Sequence, residues 1–238
     1  MINTLNESSL HKTLKELYSL NSPGSKKEAP VGPYIADIEE KDSSIIEIQT
    51  GNLSSLLKKC SYYISQKRKV KVVYPLVTEK YIKTFDSTKA EVRKRKSPIK
   101  KNIYSIFREL TGLYPLILDR RFYLEVVEVV VTEERRDDGL LKQSANGRRR
   151  FRKTWTKEGK CLEKIGKSTI LHGEKSYKAL LPKNLGENFS VKNLFEELKK
   201  EGKKVTLNQV HLMVWVLSHA SIIEYTGKEG KSNIYRLL

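Results

Sequence analysis

The stretch Val31-Gly-Pro-Tyr-Ile-Ala-Asp-Ile38, the polar turn Glu39–Ser43 and the run Ser44-Ile-Ile-Glu-Ile-Gln49 together decide the fold. Two apolar-rich runs flanking a short polar segment predict a β-hairpin. Upstream, Leu10, Leu14, Leu17 and Tyr18 recur at helical spacing and predict a helix over Glu7–Leu20, broken at Asn21-Ser-Pro-Gly-Ser25. Downstream, Gly51-Asn52 ends the second strand. A helix with Leu53, Leu56, Leu57, Cys60 and Ile64 on one face follows, then a buried-type strand over Lys69–Leu76. Helix, strand, strand, helix, strand is the order of a mixed sheet with a helical crossover, an α/β core.

The 238 residues suffice for one large or two small domains. The longest apolar run, Leu212–Leu217, is too short to span a bilayer, and Met1–Glu7 lacks a basic stretch followed by an apolar block. No secretory signal and no membrane partner are therefore expected. Cys60 and Cys161 stand alone, so a zinc cluster is not expected and a reduced, cytoplasmic setting is. The 46 Lys and Arg outnumber the 28 acids, a net charge of +18. That excess favours a polyanionic partner, because cations laid against phosphates release condensed counterions. The cations gather in Lys89–Lys101 and Lys142–Lys160, whereas Glu28–Thr50 holds six acids and one base. Acids gathered in a basic protein repel phosphates unless something neutralises them, and a metal ion would.

Ile103–Leu110 predicts a short helix and Phe122–Thr132 a strand. Arg135–Gly147 carries loop residues, and Lys153–Lys167 suits an exposed hairpin or a flexible strap. In the last third, Ser190 caps a helix with Val191, Leu194, Phe195 and Leu198 on one face. Thr206-Leu-Asn-Gln209 is a capping-box pattern opening a second helix. Ile222–Tyr225, a Gly227–Gly230 turn and Ser232–Leu237 complete a layout that resembles a winged helix. The expected division is a core over 1–135, a basic linker or strap over 136–172 and a winged helix over 173–238, with separate apolar cores in the two halves.

Glu47 and Gln49 are two apart on one strand and face the same side, and Asp37 can sit opposite them across the hairpin. Two converging carboxylates suit Mg²⁺, which can activate a water and stabilise charge on a phosphate. The bland alternative is a pair of solvated hairpin residues.

The run Tyr34-Ile-Ala-Asp37 … Ile45-Ile-Glu47-Ile-Gln49-Thr-Gly-Asn-Leu resembles the PD-(D/E)XK nuclease superfamily, in the variant with Gln for the motif lysine. Glu7-Ser-Ser-Leu-His11-Lys is similar to its first-helix glutamate, and Val70-Lys-Val-Val-Tyr-Pro75 to its next core strand. The resemblance covers roughly Glu7–Pro75 and implies a mixed-sheet, restriction-endonuclease-like core. It implies that Asp37 and Glu47 bind Mg²⁺ or Mn²⁺ with the carbonyl of Ile48, that Glu7 contacts the site, and that Gln49 orients the attacking water. Ala36 stands where the family has a proline, and Lys58 is the candidate for the displaced positive charge.

The C-terminal third resembles winged-helix DNA-binding domains, which implies that Asn208, Gln209 and His211 face a groove while Lys228, Lys231 and Arg236 meet phosphates. Thr206–Ala220 itself holds no Lys or Arg. Arg148-Arg149-Arg150-Phe-Arg152-Lys-Thr-Trp155 interleaves cations with aromatics, which suits phosphate contact and base stacking, or else a solvated basic loop. The resulting expectation is a metal-dependent deoxyribonuclease whose partner is DNA, with a homodimer compatible. The rivals are a non-catalytic DNA-binding protein on a degenerate core, and an assembly protein whose winged helix contacts protein.

Overall fold

The hairpin expected around Glu39–Ser43 forms, but it belongs to a three-stranded meander. In this computed structural model, which describes residues 9–143, 147 and 150–238, β1 (Lys26–Val31), β2 (Tyr34–Glu39) and β3 (Ile45–Ile48) run antiparallel in sequence order. Val31–Ile38 is therefore not one strand. Val31 pairs with Tyr34, so the chain reverses at Gly32-Pro33, with Gly32 at φ +59°. Pro30 lacks an N–H, and β1 lies at the sheet edge where that costs no ladder bond. A 3₁₀ turn (Leu53–Leu56) leads into α2 (Leu57–Ser65), which crosses over to β4 (Val70–Phe85), parallel to β3.

The chain is an α/β protein built on a seven-stranded mixed sheet of order β1-β2-β3-β4-β6-β7, with β5 (Glu91–Lys96) also on β4. β3 flanks β4 over Val70–Val73, and β5 takes the β4 pairing at Tyr81–Phe85. β6 (Phe122–Lys142) runs parallel to β4, and β7 (Lys153–Leu171) returns antiparallel along β6. Within 136–172 the described strands of β6 and β7 are thus not a linker or strap, and Arg135–Lys142 is not a loop. Lys and Gly depress strand propensity in these segments. The ladder nonetheless continues outward from the Val-rich inner half of β6, where Val126, Val127, Val129 and Val131 are buried.

α1 (Ser9–Leu20) lies against the sheet through Leu10 and Leu14, which pack with Ile38, Ile46, Ile48, Val127, Val129 and Val131. On the other side, Leu53, Leu56, Cys60 and Tyr63 join Val70, Val72, Leu124 and Val126. That second cluster does not stop at the expected domain boundary. It takes in α3 (Phe107–Leu110), α4 (Gly173–Lys178), α5 (Val191–Lys200) and α6 (Leu207–His219), through Phe107, Leu110, Tyr177, Leu194, Val210, Met213 and Leu217. A small sheet of order β8-β10-β9 (β8 Asn188–Ser190, β9 Ile223–Glu229, β10 Ser232–Leu237) completes the C-terminal third. The expectation of separate apolar cores is overturned, because the inner face of α6 is apolar and packs on α3 rather than closing on itself. Among the described residues no helix is long and apolar enough to cross a membrane.

Candidate functional site

The β2–β3 ladder pairs Ile38 with Ile46 and Glu39 with Ile45. One step further sets Asp37 across from Glu47, and there the backbone pairing ends because a side chain replaces it. The N–H of Ile48 donates to Asp37 Oδ2 at 2.8 Å, while the N–H of Gln49 donates to Val73 O on β4. Within a strand the N–H and C=O of one residue point to the same edge. The Ile48 carbonyl therefore faces the side of Asp37. Asp37, Glu47 and Ile48, the three expected ligands, meet at the point where β2 and β3 part.

Two basic side chains close the site, one from each face of the sheet. His11 on α1 stands 3.4 Å from Asp37 Oδ2. Lys59 on α2 donates to Glu47 Oε2 at 2.6 Å. Lys58, the expected source of positive charge, is exposed, and it is the neighbouring Lys59 that reaches Glu47. On a helix of 3.6 residues per turn, Lys59 lies on the stripe of buried Leu56 and Tyr63, and Lys58 is turned about 100° away. Gln49 shares the Glu47 side of β3, yet its amide nitrogen donates to the Asn52 carbonyl at 3.3 Å, to Ser55 Oγ at 3.2 Å and to the Gly51 carbonyl. It braces the turn that launches α2 and has no donor left for a water. Glu7 lies outside the described residues. His11 was legible only as a polar position beside Leu10 and Leu14, with nothing in the spacing to pair it with Asp37.

The two carboxyls titrate apart. Burial raises Asp37, but His11 and the Ile48 N–H outweigh it and hold the group below the usual carboxylate range. Burial pushes Glu47 up to about 7 against the pull of Lys59, and the Asp37 carboxylate adds to the push. Glu47 Oε1 and the Tyr63 hydroxyl are buried without a hydrogen-bond partner. Mg²⁺ takes hard oxygen ligands, needs only one or two carboxylates and keeps its own waters. The oxygens of Asp37, Glu47 and Ile48 fit that demand, although the Tyr63 hydroxyl and the Asp37 N–H also lie close to the Glu47 carboxyl. Among the described residues no group of three or more His, Cys, Asp or Glu is arranged to hold a metal, so the site is a carboxylate pair.

The remaining acids of Glu28–Thr50 are in part neutralised by the chain itself. Lys15 meets Glu28 at 3.1 Å and Arg68 pairs with Glu39, whereas Glu40 and Asp42 keep their charge and share the Ser44 hydroxyl as a hydrogen-bond donor.

The expected DNA-contacting residues divide. Asn208, His211, Lys228 and Lys231 are exposed, and His211 and Lys231 line a groove of about 570 Å³ between α5, α6 and β10. Gln209 is committed to the fold, with its side chain capping Thr206 N–H and reaching Ser105 Oγ at 2.9 Å on the facing 3₁₀ turn (Ile103–Ile106). Arg236 is paired with Glu224. Arg150 lies over the Phe151 ring at 5.5 Å and Arg152 is exposed, while Arg148 and Arg149 lie outside the described residues.

A protein of Treponema pallidum (strain Nichols), described as uncharacterized, is 32% identical over 169 residues, which are 68% of this chain and 61% of that protein. The chain thus spans less than two thirds of that relative's length. The crystal structure of the Vibrio cholerae ferric uptake regulator (Fur) aligns at 18% identity and a TM-score of 0.24, covering 27% of this chain and 50% of that one, a likeness too slight to carry any argument. Residues 8–172, from the start of α1 to the end of β7, match the domain of unknown function DUF8091, and the chain belongs to that family.

Proposed function

We propose that this chain is a divalent-metal-dependent deoxyribonuclease on a PD-(D/E)XK-like core, with the C-terminal third acting as a winged helix that adds DNA contacts. The observation that carries the reading is the Asp37–Glu47 pair at the parting of β2 and β3, with the Ile48 backbone drawn to Asp37 and Lys59 to Glu47. Bound there, Mg²⁺ would activate a water and neutralise charge on the phosphate. Asp37 and Glu47 would hold that ion, with the Ile48 carbonyl. Lys59 places a positive charge beside Glu47, the charge that Gln49 lacks, and offers it to the phosphate oxygens. Gln49 is a positioning residue, since it fixes the turn from which α2 carries Lys59. Hydrolysis joins a water oxygen to phosphorus and breaks one P–O ester bond, and the departing alkoxide takes up a proton. Asn208, His211, Lys228 and Lys231 are the residues left free to touch DNA from the C-terminal third.

Plasmid, linear, branched and single-stranded DNA with Mg²⁺ or Mn²⁺ test the reading. Cleavage is expected, and Asp37→Asn and Glu47→Gln are each expected to abolish it while leaving DNA binding intact. Lys59→Met is expected to slow cleavage about 10²–10³-fold, on the scale of losing one charge-stabilising group, whereas Lys58→Met leaves it unchanged. Absence of cleavage on every form, with no metal binding by calorimetry, overturns the enzyme.

One observation favours the rival, a non-catalytic DNA-binding protein. Lys59 already neutralises Glu47 without a metal, so the core holds together as a structural ion pair. In that case Mg²⁺ leaves the melting temperature unchanged.

A further inference from the structure

The outer half of the main sheet carries cations in rows. Cross-strand register sets Arg95, Ile82, Glu133 and Lys160 side by side over four strands. Arg93, Thr84, Arg135 and Lys157 form the next row, with Glu158 bulged out of β7. Paired residues two positions apart share a face, so both rows lie on one side of the sheet. Lys80, level with Val131, lies on that same side. Val131 packs with Leu10 and Leu14, so this is the α1 side.

Glu133 is the one acid in these rows, and it is spent: Lys80 meets it at 3.1 Å and Arg135 Nε at 2.7 Å. Among the described residues Arg93, Arg95, Lys157 and Lys160 form no ion pair. Lys160 is held below the usual lysine range by burial first, and then by the like charges of Lys157, Lys80 and Lys101. Glu133 offsets part of that depression, and the exposed Arg93, Arg95 and Lys157 beside it are free to meet a polyanion, which releases its counterions on binding.

The same face leads to the Asp37 end of the carboxylate pair, whereas Glu47, between Ile46 and Ile48, faces α2. At the first turn of α1, Ser9 Oγ donates to the Lys160 carbonyl at 2.7 Å, and His11, two residues on, stands 3.4 Å from Asp37. We propose that the α1-side face of β4–β7, centred on Arg93, Arg95, Lys157 and Lys160, is the track on which the phosphate backbone of duplex DNA lies and is led toward Asp37, at the edge where β2 and β3 part. The destination rests on the nuclease reading, whereas the track rests on charge alone. Trp155 favours the duplex over a single strand. Its ring carries the Arg135 guanidinium at 3.5 Å and the Lys153 ammonium at 4.4 Å, so it holds phosphate-seeking cations in place and is not offered to an unpaired base.

The test is anisotropy of a labelled 20-bp duplex bound by the full chain in EDTA, titrated with salt. The triple substitution Arg93→Gln, Arg95→Gln, Lys157→Gln is expected to weaken binding at least about 10-fold and to reduce the log–log salt slope by two to three, about 0.9 per lost phosphate contact. Lys228→Gln with Lys231→Gln is expected to weaken it less. If the triple variant melts below wild type, Lys157→Glu alone is expected to weaken binding and reduce the slope. Unchanged affinity and slope overturn the proposal. So does tighter binding to the single strand of the same length, or to phosphatidylglycerol vesicles. Because no metal is present, a failure here leaves the nuclease reading standing if wild type cleaves DNA with Mg²⁺. Conversely, a chain that binds through these residues and never cleaves loses the enzyme and keeps the track.

Discussion

Glu47 is almost fully buried, its Oε2 is taken by Lys59, and its Oε1 has no partner. Its carboxyl is pushed up to about 7, first by burial. The folded chain therefore keeps the proton that an unfolded chain releases near 4.5. Below that value the group costs nothing. As pH rises through 7 the folded state must hold a buried anion, and the associated stability is lost. Removing the charge should reverse this. Glu47→Gln is expected to raise the stability of the metal-free protein by roughly 1–3 kcal/mol at about pH 8 and to change little near pH 4. Lys59, which reaches solvent, tolerates the loss of its partner. Mg²⁺ should stabilise wild type at about pH 8 and leave the variant unmoved. Equal melting curves for the two proteins at both pH values would show that this burial carries no electrostatic cost.

The meander that presents Asp37 depends on one backbone conformation. Gly32 sits at φ +59°, and a Cβ there would lie 1.9 Å from the Tyr62 hydroxyl, whose ring packs 5.5 Å from Tyr34. Gly32→Ala therefore combines a strained φ with a clash at the start of β2. It is expected to cost about 2 kcal/mol and to lower the melting temperature by about 4–8 °C. The site is expected to loosen with it, so cleavage should fall more than duplex binding does. A melting temperature within a degree of wild type would mean that the turn relaxes freely. The outer parts of β6 and β7 follow a different logic. Their sequence argues for loops, and they are strands because the ladder runs on outward from the Val-rich inner half of β6.

The family domain and the C-terminal third are joined by more than chain continuity. Phe107, Leu110, Val210, Met213 and Leu217 are fully buried in one cluster. Gln209 donates to Ser105, and Asn102 to the Lys204 carbonyl. Ending the chain at His172 strips the partner surface from α3 and leaves large apolar side chains in water. The full chain is expected to unfold in one calorimetric transition, and residues 1–172 alone to aggregate or to bind a hydrophobic dye. Two separated transitions, with the truncated form reproducing one of them, would restore the two-core reading.

The sequence by itself determined the α/β order, the carboxylate pair and the helix starts. Strand alternation, helical spacing and the boxes at Ser190 and Thr206 are local signals, written in neighbours a few residues apart. Tertiary structure decided the rest. Lys59 rather than Lys58 depends on which helix face meets the sheet, and His11 on where α1 crosses it. The family resemblance assigns Gln49 to the attacking water, and only the folded turn shows what its amide holds. The strands in 136–172 exist because β6 and β7 pair along their length, and the single core exists because α6 meets α3. Each of these is a contact between distant residues, and no spacing along the chain encodes which distant surface a side chain will meet.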